Sequence, residues 1–300
     1  MADADYRTHL ANLALFAAAA IWGSTFFLVK RALDDAHPVT LVGYRFALAA
    51  LVLGVVMALL RRPLWRNLPQ GLLLGVFILI LYLTQTAGLV ITTAANSGLI
   101  TGLFVAFVPL FTFVLFRRVP WLSAVLAAAT SFSGLWVLTG GLTEINAGDL
   151  LTLFAAATYA LHILYVDKYV KAGLDPYALS FQQFAIVGAA CLVIGGIMGM
   201  SFSVGSNEVI WIILFLAAFP TLLAFVIQLL AQRHTTPVKV SLILAFEPVF
   251  AVLFAWTLGR ELFVWPKAFG TLLIFGALVI SAIRGTSPPR VSRDARCWGK

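Results

Sequence analysis

Long apolar runs, each about as long as a membrane-spanning helix, follow one another along nearly the whole chain. A spanning helix needs about 20 mostly apolar residues. Ten runs of that kind are present, at residues 10–30, 38–60, 69–90, 94–116, 121–140, 147–166, 176–199, 208–231, 237–258 and 263–283. Charged residues make up only 11% of the sequence and hydrophobic residues 62%, whereas a soluble domain carries about 25% charged residues. The pattern predicts an all-α integral membrane protein with ten transmembrane helices.

The 20 lysines and arginines are divided unequally between the two sides of such a bundle. Fifteen fall on the side that carries both termini, four fall on the opposite side, and Arg45 lies inside a span. The positive-inside rule places the richer side in the cytoplasm. We therefore expect a multi-pass protein with cytoplasmic N and C termini and a basic cytoplasmic tail at 284–300. The net charge of +8 then contacts anionic membrane lipid and does not indicate a nucleic-acid partner.

The two halves of the chain resemble each other. The segment FAAAAIWGSTFFLVKRALDDAHPVTLVGYRF (Phe16–Phe46) aligns with FAAATYALHILYVDKYVKAGLDPYALSFQQF (Phe154–Phe184) at a shift of 138 residues, and Pro109 aligns with Pro248 at a shift of 139. Each half holds five predicted spans, and because five is odd the second half enters the bilayer in the opposite direction. Inverted repeats of this kind surround the substrate site of many secondary transporters. The predicted units are residues 10–140, with helices 1–5, and 147–283, with helices 6–10, around a central cavity.

Four motifs carry a resemblance to a known family. They are WGSTF (Trp22–Phe26), HPVTLVGYRFALAALVL (His37–Leu53), FVPLF (Phe107–Phe111) and EPVFAVLFAWTLGRE (Glu247–Glu261). Over residues 10–283 the chain resembles the drug/metabolite transporter superfamily, in its ten-helix branch with two EamA-type repeats, and within it the YddG-type exporters of aromatic and other amino acids. The resemblance implies a secondary transporter of the bacterial inner membrane.

The sequence departs from that family at the end of its first half. It reads FRRVP there, where these repeats often carry a glycine–glutamate pair, as GRE does in the second half. If that glutamate is functional, Glu261 is the residue that serves here.

Arg45 is the charged residue that most needs an explanation. A guanidinium in a membrane span costs about 2.5–3.5 kcal/mol on insertion scales. With Pro38 opening its helix, Arg45 lies about 10 Å along the axis, and the aligned position in the second half is Gln183. Two interpretations stay open: Arg45 faces the cavity and binds a substrate carboxylate, or it is structural, either snorkelling outward or forming an ion pair with an acidic residue. The candidate partners are Asp34, Asp35 and Glu144.

Two other titratable side chains lie in predicted spans. His162 stands alone, and it is either a hydrogen-bonding or proton-sensitive cavity residue or a packing residue between helices. Glu247 precedes a proline, and it either carries a coupled proton or pairs with Lys239 or a freed backbone group.

The remaining site predictions are drawn from polar, aromatic and proline residues in the spans. The predicted substrate cavity consists of Trp22, Arg45, Tyr82, Gln85, Asn96, Tyr159, His162 and Gln183. The predicted hinges are Pro109, Pro220 and Pro248, because a proline breaks helix hydrogen bonds and bends the helix.

Motifs for catalysis, metal binding and nucleotide hydrolysis are absent from the sequence. No GxxxxGK[ST], HExxH or GxSxG pattern occurs, so we expect neither an enzyme nor a cofactor. The two cysteines, Cys191 and Cys297, form neither a disulfide framework nor a metal site. Small-residue motifs such as Gly71-xxx-Gly75 indicate close internal packing, and we expect a monomer or a weak oligomer.

The expected function is export of neutral amino acids, aromatic ones among them, or of similar small metabolites across the inner membrane by alternating access. One alternative is an exporter of another solute, such as a purine or a cationic drug. A sugar phosphate is disfavoured, because it needs more than one cation in the cavity and Arg45 is the single one expected there. A membrane-embedded enzyme and a channel are the alternatives from other classes.

Overall fold

A computed structural model describes residues 2–92, 94–117, 120–139, 146–250, 253 and 265–283. These residues form helices and short connections, with no strand in that part of the chain. The helices are α1 (Ala2–Gly23), α2 (Thr25–Ala32), α3 (Pro38–Leu59), α4 (Leu68–Ile91), α5 (Ala94–Gly102), α6 (Phe104–Phe116), α7 (Leu122–Thr139), α8 (Ala147–Lys171), α9 (Pro176–Ile197), α10 (Asn207–Leu216), a π-helical segment (Ala217–Leu223), α11 (Ala224–Ala231), α12 (Pro237–Leu244) and α13 (Trp265–Ile283). The all-helical class predicted from the sequence is confirmed for the described residues.

Seven helical segments are long and apolar enough to cross a membrane. They are Tyr6–Ala32, Pro38–Leu59, Leu68–Ile91, Asn96–Phe116, Ala147–Lys171, Pro176–Ile197 and Asn207–Ala231. Each coincides with one of the ten predicted spans. The other three predictions, 121–140, 237–258 and 263–283, coincide with the shorter helices α7, α12 and α13, and each runs partly outside the described residues.

Large apolar side chains on the outside of the bundle fit a lipid environment. Leu59, Ile197 and Trp211 are 78%, 81% and 71% exposed. A soluble helix would place polar residues on its outer face, whereas hydrocarbon accepts these side chains without cost. Together with the seven spans, this exterior defines a multi-pass membrane protein.

The starts of α3 and α9 are built alike. His37 precedes Pro38, and its Nδ1 accepts a hydrogen bond from the Val39 N–H (3.3 Å). Asp175 precedes Pro176, and its Oδ1 accepts from the Tyr177 N–H (3.0 Å). A capping residue followed by proline at the first helical position is a strong start signal, because proline has no N–H to leave unpaired. Both helices therefore begin at a defined residue, which fixes the depth of Arg45 and Gln183 in the bundle.

Helix pairs pack closely across the two halves of the chain. Helix α3 packs along α9, α4 along α8 and α9, α1 along α11, and α7 along α13. At the α3–α9 contact a Cβ on Gly188 would lie 2.8 Å from the Ala47 backbone, so this position needs glycine for the helices to approach. Small residues at such contacts are a general feature of packed membrane helices.

The two ends of the bundle are named here for later use. The upper end is where α2 ends at Ala32, α3 begins at Pro38 and α4 ends at Ile91. The lower end is where α8 ends at Lys171 and α11 ends at Ala231.

Candidate transport site

A cavity lies between α1, α2, α3, α4, α5 and α8, in the half of the bundle nearer the upper end. It contains about 510 Å³ of empty space, a figure that includes the open mouth of the cavity. The lining residues are Trp22, Thr25, Phe26, Val29, Arg45, Leu81, Tyr82, Gln85, Thr86, Leu89, Thr101, Tyr159 and Glu247. From Trp22 to Val29 the wall rises by seven residues, about 10 Å along a helix.

Interrupted helices surround this cavity. A turn at Ser24 separates α1 from α2, a turn at Leu103 separates α5 from α6, and a turn at residues 245–246 follows α12. Thr25, Thr101 and Glu247 lie next to these turns and line the cavity. Irregular backbone at membrane depth is tolerated where it lines a cavity, and discontinuous helices form the sites of many transporters.

Arg45 lies at the cavity wall and is only 3% exposed. Its Nε donates a hydrogen bond to Thr221 Oγ1 (2.9 Å), and its guanidinium carbon lies 4.7 Å from the centre of the Tyr82 ring. Its buried Nη2 has no hydrogen-bond partner. A hydrogen bond to a charged group contributes about 1.5–3 kcal/mol and a desolvated cation–π contact about 2 kcal/mol. These contacts match the insertion cost and still leave one donor of the guanidinium unused.

The partner of Arg45 lies on the π-helical segment. Pro220 has no N–H, so the carbonyl of Leu216, four residues earlier, loses its usual partner. The Thr221 hydroxyl donates to that carbonyl (2.7 Å) while its oxygen accepts from Arg45. The Pro220 carbonyl accepts from Trp22 Nε1 (2.8 Å). Two cavity residues, Arg45 and Trp22, thus donate hydrogen bonds to the segment that contains the proline.

Glu247 is the carboxylate of the cavity. It is 8% exposed, and among the described residues no basic side chain forms an ion pair with it. The predicted alternative partner Lys239 makes no ion pair with it in that part of the chain. Arg45 likewise forms no ion pair with Asp34 or Asp35 there, and Glu144 lies outside the described residues.

The rest of the wall combines one amide with aromatic and apolar surface. Gln85 Nε2 donates to Thr101 Oγ1 (2.9 Å), which leaves the amide oxygen of Gln85 without a described partner. Trp22 and Tyr159 lie edge to face, with ring centres 6.3 Å apart. The cavity therefore offers a guanidinium group and a carboxyl group beside aromatic and apolar surface.

The structure brings five of the eight predicted cavity residues to the cavity wall and places three elsewhere. Trp22, Arg45, Tyr82, Gln85 and Tyr159 line it. The side chains of Asn96, His162 and Gln183 are buried but do not line it, and His162 Nε2 donates to Gln183 Oε1 (2.6 Å).

The predicted hinge prolines lie at or near helix irregularities. Pro109 lies inside α6, six residues after the turn at Leu103, and Pro220 lies inside the π-helical segment. Pro248 lies in the helical turn that follows residues 245–246. Their role as hinges stays a prediction.

Some cavity residues were missed by the sequence analysis as site residues. Thr25 and Phe26 belong to the quoted motif WGSTF, which was a usable signal. No sequence signal marked Thr86 and the apolar wall residues. The face of α4 that lines the cavity is decided by helix packing, which the sequence does not show. Thr221 follows Pro220, and a hydroxyl next to a proline in a span was a signal for a repaired backbone.

These features define a class: a helical membrane protein with interrupted helices around a central cavity, which is the architecture of a membrane transporter. The EamA-like transporter family model matches residues 9–140 and again residues 146–283. The chain belongs to the EamA-like transporter family, as its resemblance to EamA-type repeats predicted.

Similar proteins are transporters by name. The chain is 31% identical over 274 residues to an uncharacterized transporter of Archaeoglobus fulgidus, covering 91% of this chain and 86% of that protein. It is 26% identical to the uncharacterized inner membrane transporter YedA of Escherichia coli, over 83% and 82% of the two chains. It is 25% identical to the uncharacterized transporter YyaM of Bacillus subtilis, over 87% and 90%.

A solved crystal structure shares the fold. It superposes with a TM-score of 0.76 over 92% of this chain and 97% of the other, at 17% sequence identity. At that identity the similarity concerns the fold alone. The family and the named relatives indicate a transporter.

Proposed function

We propose that this transporter carries small zwitterionic solutes, neutral amino acids and molecules like them, outward across the inner membrane by alternating access. The observation that carries the proposal is that Arg45 and Glu247 line one cavity without pairing with each other. A zwitterion offers a carboxylate to the guanidinium and an ammonium group to the carboxylate. Its side chain then lies against Trp22 and Tyr159.

The charges of the cavity favour this solute class over others. A sugar phosphate carries two negative charges and needs several cations, whereas Arg45 is the one basic residue among those that line the cavity. The unused Nη2 donor matters here, because binding a carboxylate there satisfies a buried group that otherwise remains unpaired.

Alternating access rests on the proposed pair of inverted five-helix repeats. The two stretches matched by the family model support it, since they coincide closely with the predicted units 10–140 and 147–283. The packing pattern supports it as well. Helix α1 packs on α11 as α8 packs on α4, and α3 packs on α9, its counterpart in the second half. Two similar halves of opposite direction exchange conformations about a site near the midplane.

The proposed direction rests on charge and on the relatives. Fifteen of the 20 lysines and arginines fall on the side of the lower end, which places that end and both termini in the cytoplasm under the positive-inside rule. The name of the relative YedA supports an inner-membrane location. The resemblance to YddG-type exporters supports outward transport of amino acids.

Counterflow in proteoliposomes tests the proposal. Purified protein is reconstituted with an internal load of unlabelled amino acids, and labelled threonine, methionine, phenylalanine or tryptophan is added outside. We expect transient accumulation of label, because a carrier exchanges external solute for the internal load. The ranking of the four amino acids measures the size of the cavity.

The control is protein-free liposomes with the same load. No accumulation by folded protein would contradict the proposed solute class, and flux without counterflow would indicate a channel.

A second candidate is an organic cation. Glu247 lies in a cavity with Trp22, Phe26, Tyr82 and Tyr159, and aromatic faces with a carboxylate bind cations well. Arg45 opposes such a solute by charge repulsion. Counterflow of a labelled amine that lacks a carboxylate distinguishes this candidate from the first.

A further inference from the structure

Below the cavity a chain of buried polar side chains continues toward the lower end. The Tyr159 hydroxyl, at the cavity wall, donates to Gln228 Oε1 across a long 3.5 Å contact. Gln228 Nε2 donates to Gln232 Oε1 (3.1 Å), and Gln232 Nε2 donates to the Ile163 carbonyl (2.9 Å). The exposed residues Arg233 and His234 follow at the end of α11. We call Tyr159, His162, Gln183, Gln228 and Gln232 the polar seam.

Burying the polar groups of the seam costs free energy that a region with only a packing role would avoid. His162, Gln183, Gln228 and Gln232 are all 0% exposed. Buried polar groups in a membrane interior are costly and mark solute or ion pathways. The seam is also incompletely satisfied, because His162 Nδ1 has no hydrogen-bond partner.

The Phe225 ring contacts both cavity-wall aromatic residues and His162 of the seam. Its ring centre lies 5.2 Å from that of Trp22 and 6.1 Å from that of Tyr82, both at the cavity wall. On its other side the ring of His162 lies 5.9 Å away. Phe225 is 1% exposed and lies on α11, the helix that also carries Gln228. Movement of this one helix would displace the ring and part the seam together.

The depth of the seam mirrors that of the cavity. Counted from the lower ends of their helices, Phe225, Gln183 and His162 lie about 9–14 Å deep, as Arg45 lies about 10 Å from the upper end. The seam uses the C-terminal half of α11, as the cavity uses the C-terminal half of α4. Under the proposed inverted repeat these helices are counterparts.

We propose that the polar seam is the lower half of the solute path, closed in this structure, and that the Phe225 ring is the gate between it and the cavity. This proposal rests on the proposed function in its use of alternating access. It adds the chemistry of the lower half of the path. The amide, imidazole and phenol groups of the seam can form hydrogen bonds to a polar solute, and they carry no permanent charge that would hold the solute in place.

Cysteine accessibility tests the proposal. Gln228→Cys and Gln232→Cys are each made in a chain carrying Cys297→Ser, so that Cys191 is the remaining native thiol. Cys191 is buried between α3 and α9, against Gly43 and away from the seam, and is the internal control. A membrane-impermeant methanethiosulfonate reagent is added to one face of sealed vesicles of known orientation, without solute.

We expect both new thiols to react from the lower face and not from the upper face, faster than Cys191. A lower-open state populated at about 0.1–10% would give that fraction of the rate of a free thiol. Phe225→Ala should let the reagent reach Gln228→Cys from the upper face as well, because it removes the gate between the cavity and the seam. If Gln228→Cys fails to fold, Gln232→Cys decides with the same measurement.

Thiols that react as slowly as Cys191 from the lower face would overturn the proposed path and make the seam a packing element. A Gln228→Cys thiol that stays unreactive from the upper face with alanine at position 225 would overturn the proposed gate. Because the labelling uses no solute, it is independent of the proposed solute class. Labelling without amino-acid counterflow would reject the solute, and counterflow without labelling would reject the path.

Discussion

At the scale of single residues, we propose that Arg45 and Glu247, which both line the cavity, decide what it binds. Arg45 is held by Thr221 and Tyr82, which are not the acidic partners that the structural interpretation named. It also lines the cavity with one donor unused, as the functional interpretation requires. The two interpretations are compatible, and mutagenesis measures how much each contributes.

Arg45→Gln should weaken the binding of a solute that has a carboxylate and leave the binding of a solute without one unchanged. Loss of a charge-assisted hydrogen bond removes about 1.5–3 kcal/mol, which corresponds to about 10–150-fold in apparent affinity. Competition for labelled amino acid in counterflow measures it, with an amine and an amino acid of equal size as competitors. Equal loss for both competitors, or a fall in melting temperature with unchanged affinity, would assign Arg45 to the scaffold.

Glu247→Gln should abolish the pH dependence of exchange if this carboxylate carries a coupled proton, since the variant has no group there to titrate. Exchange rates are compared across acid and alkaline pH in the parent protein and the variant. Glu208→Gln is the control, because Glu208 is an exposed carboxylate at the upper end that pairs with Arg31. A variant with the pH profile of the parent protein would remove Glu247 from proton coupling.

At the scale of helices, the π-helical segment explains how a proline in a span serves the site. Thr221 closes the gap that Pro220 opens at Leu216 and offers its oxygen to Arg45. Removing the hydroxyl leaves both the carbonyl and the guanidinium Nε without that partner. The π-helical segment therefore provides a hydrogen-bond donor for the Leu216 carbonyl and also holds Arg45 at the cavity wall.

Thr221→Val should destabilise the protein by about 1–3 kcal/mol, because the buried guanidinium Nε of Arg45 loses its hydrogen-bond partner, whereas Thr221→Ser keeps the hydroxyl and should stay close to the parent protein. Thermal unfolding in detergent measures the difference between the two variants. Equal melting temperatures for valine and serine would show that the hydroxyl contributes nothing measurable.

The sequence predicts helix positions well because long apolar runs and caps such as His37-Pro38 are local signals. The predicted residues Arg45, Tyr82 and Trp22 line one cavity in the structure, and their role in substrate binding stays a prediction. It does not predict which face or which half of the cavity a residue joins. His162 and Gln183 have the composition of cavity residues, yet they pair with each other below the Phe225 ring, since that depends on packing between distant helices.

At the scale of the whole molecule, orientation in the membrane has a direct test. With Cys297→Ser as background, Arg62→Cys lies in the α3–α4 connection at the lower end and Glu208→Cys lies at the upper end. An impermeant thiol reagent added to intact cells should modify Glu208→Cys alone, because the lower end is proposed to be cytoplasmic. Modification of Arg62→Cys alone would invert the proposed topology and the direction of export.

We propose that one cavity binds both the carboxylate and the ammonium group of a zwitterion. Counterflow of three matched solutes tests this proposal. The solutes are phenylalanine, phenylethylamine, which lacks the carboxylate, and phenylpropionate, which lacks the ammonium group. We expect phenylalanine to accumulate well above either analogue, because only the zwitterion can bind Arg45 and Glu247 at the same time. Accumulation of phenylethylamine equal to or above that of phenylalanine would contradict it and identify an organic cation transporter.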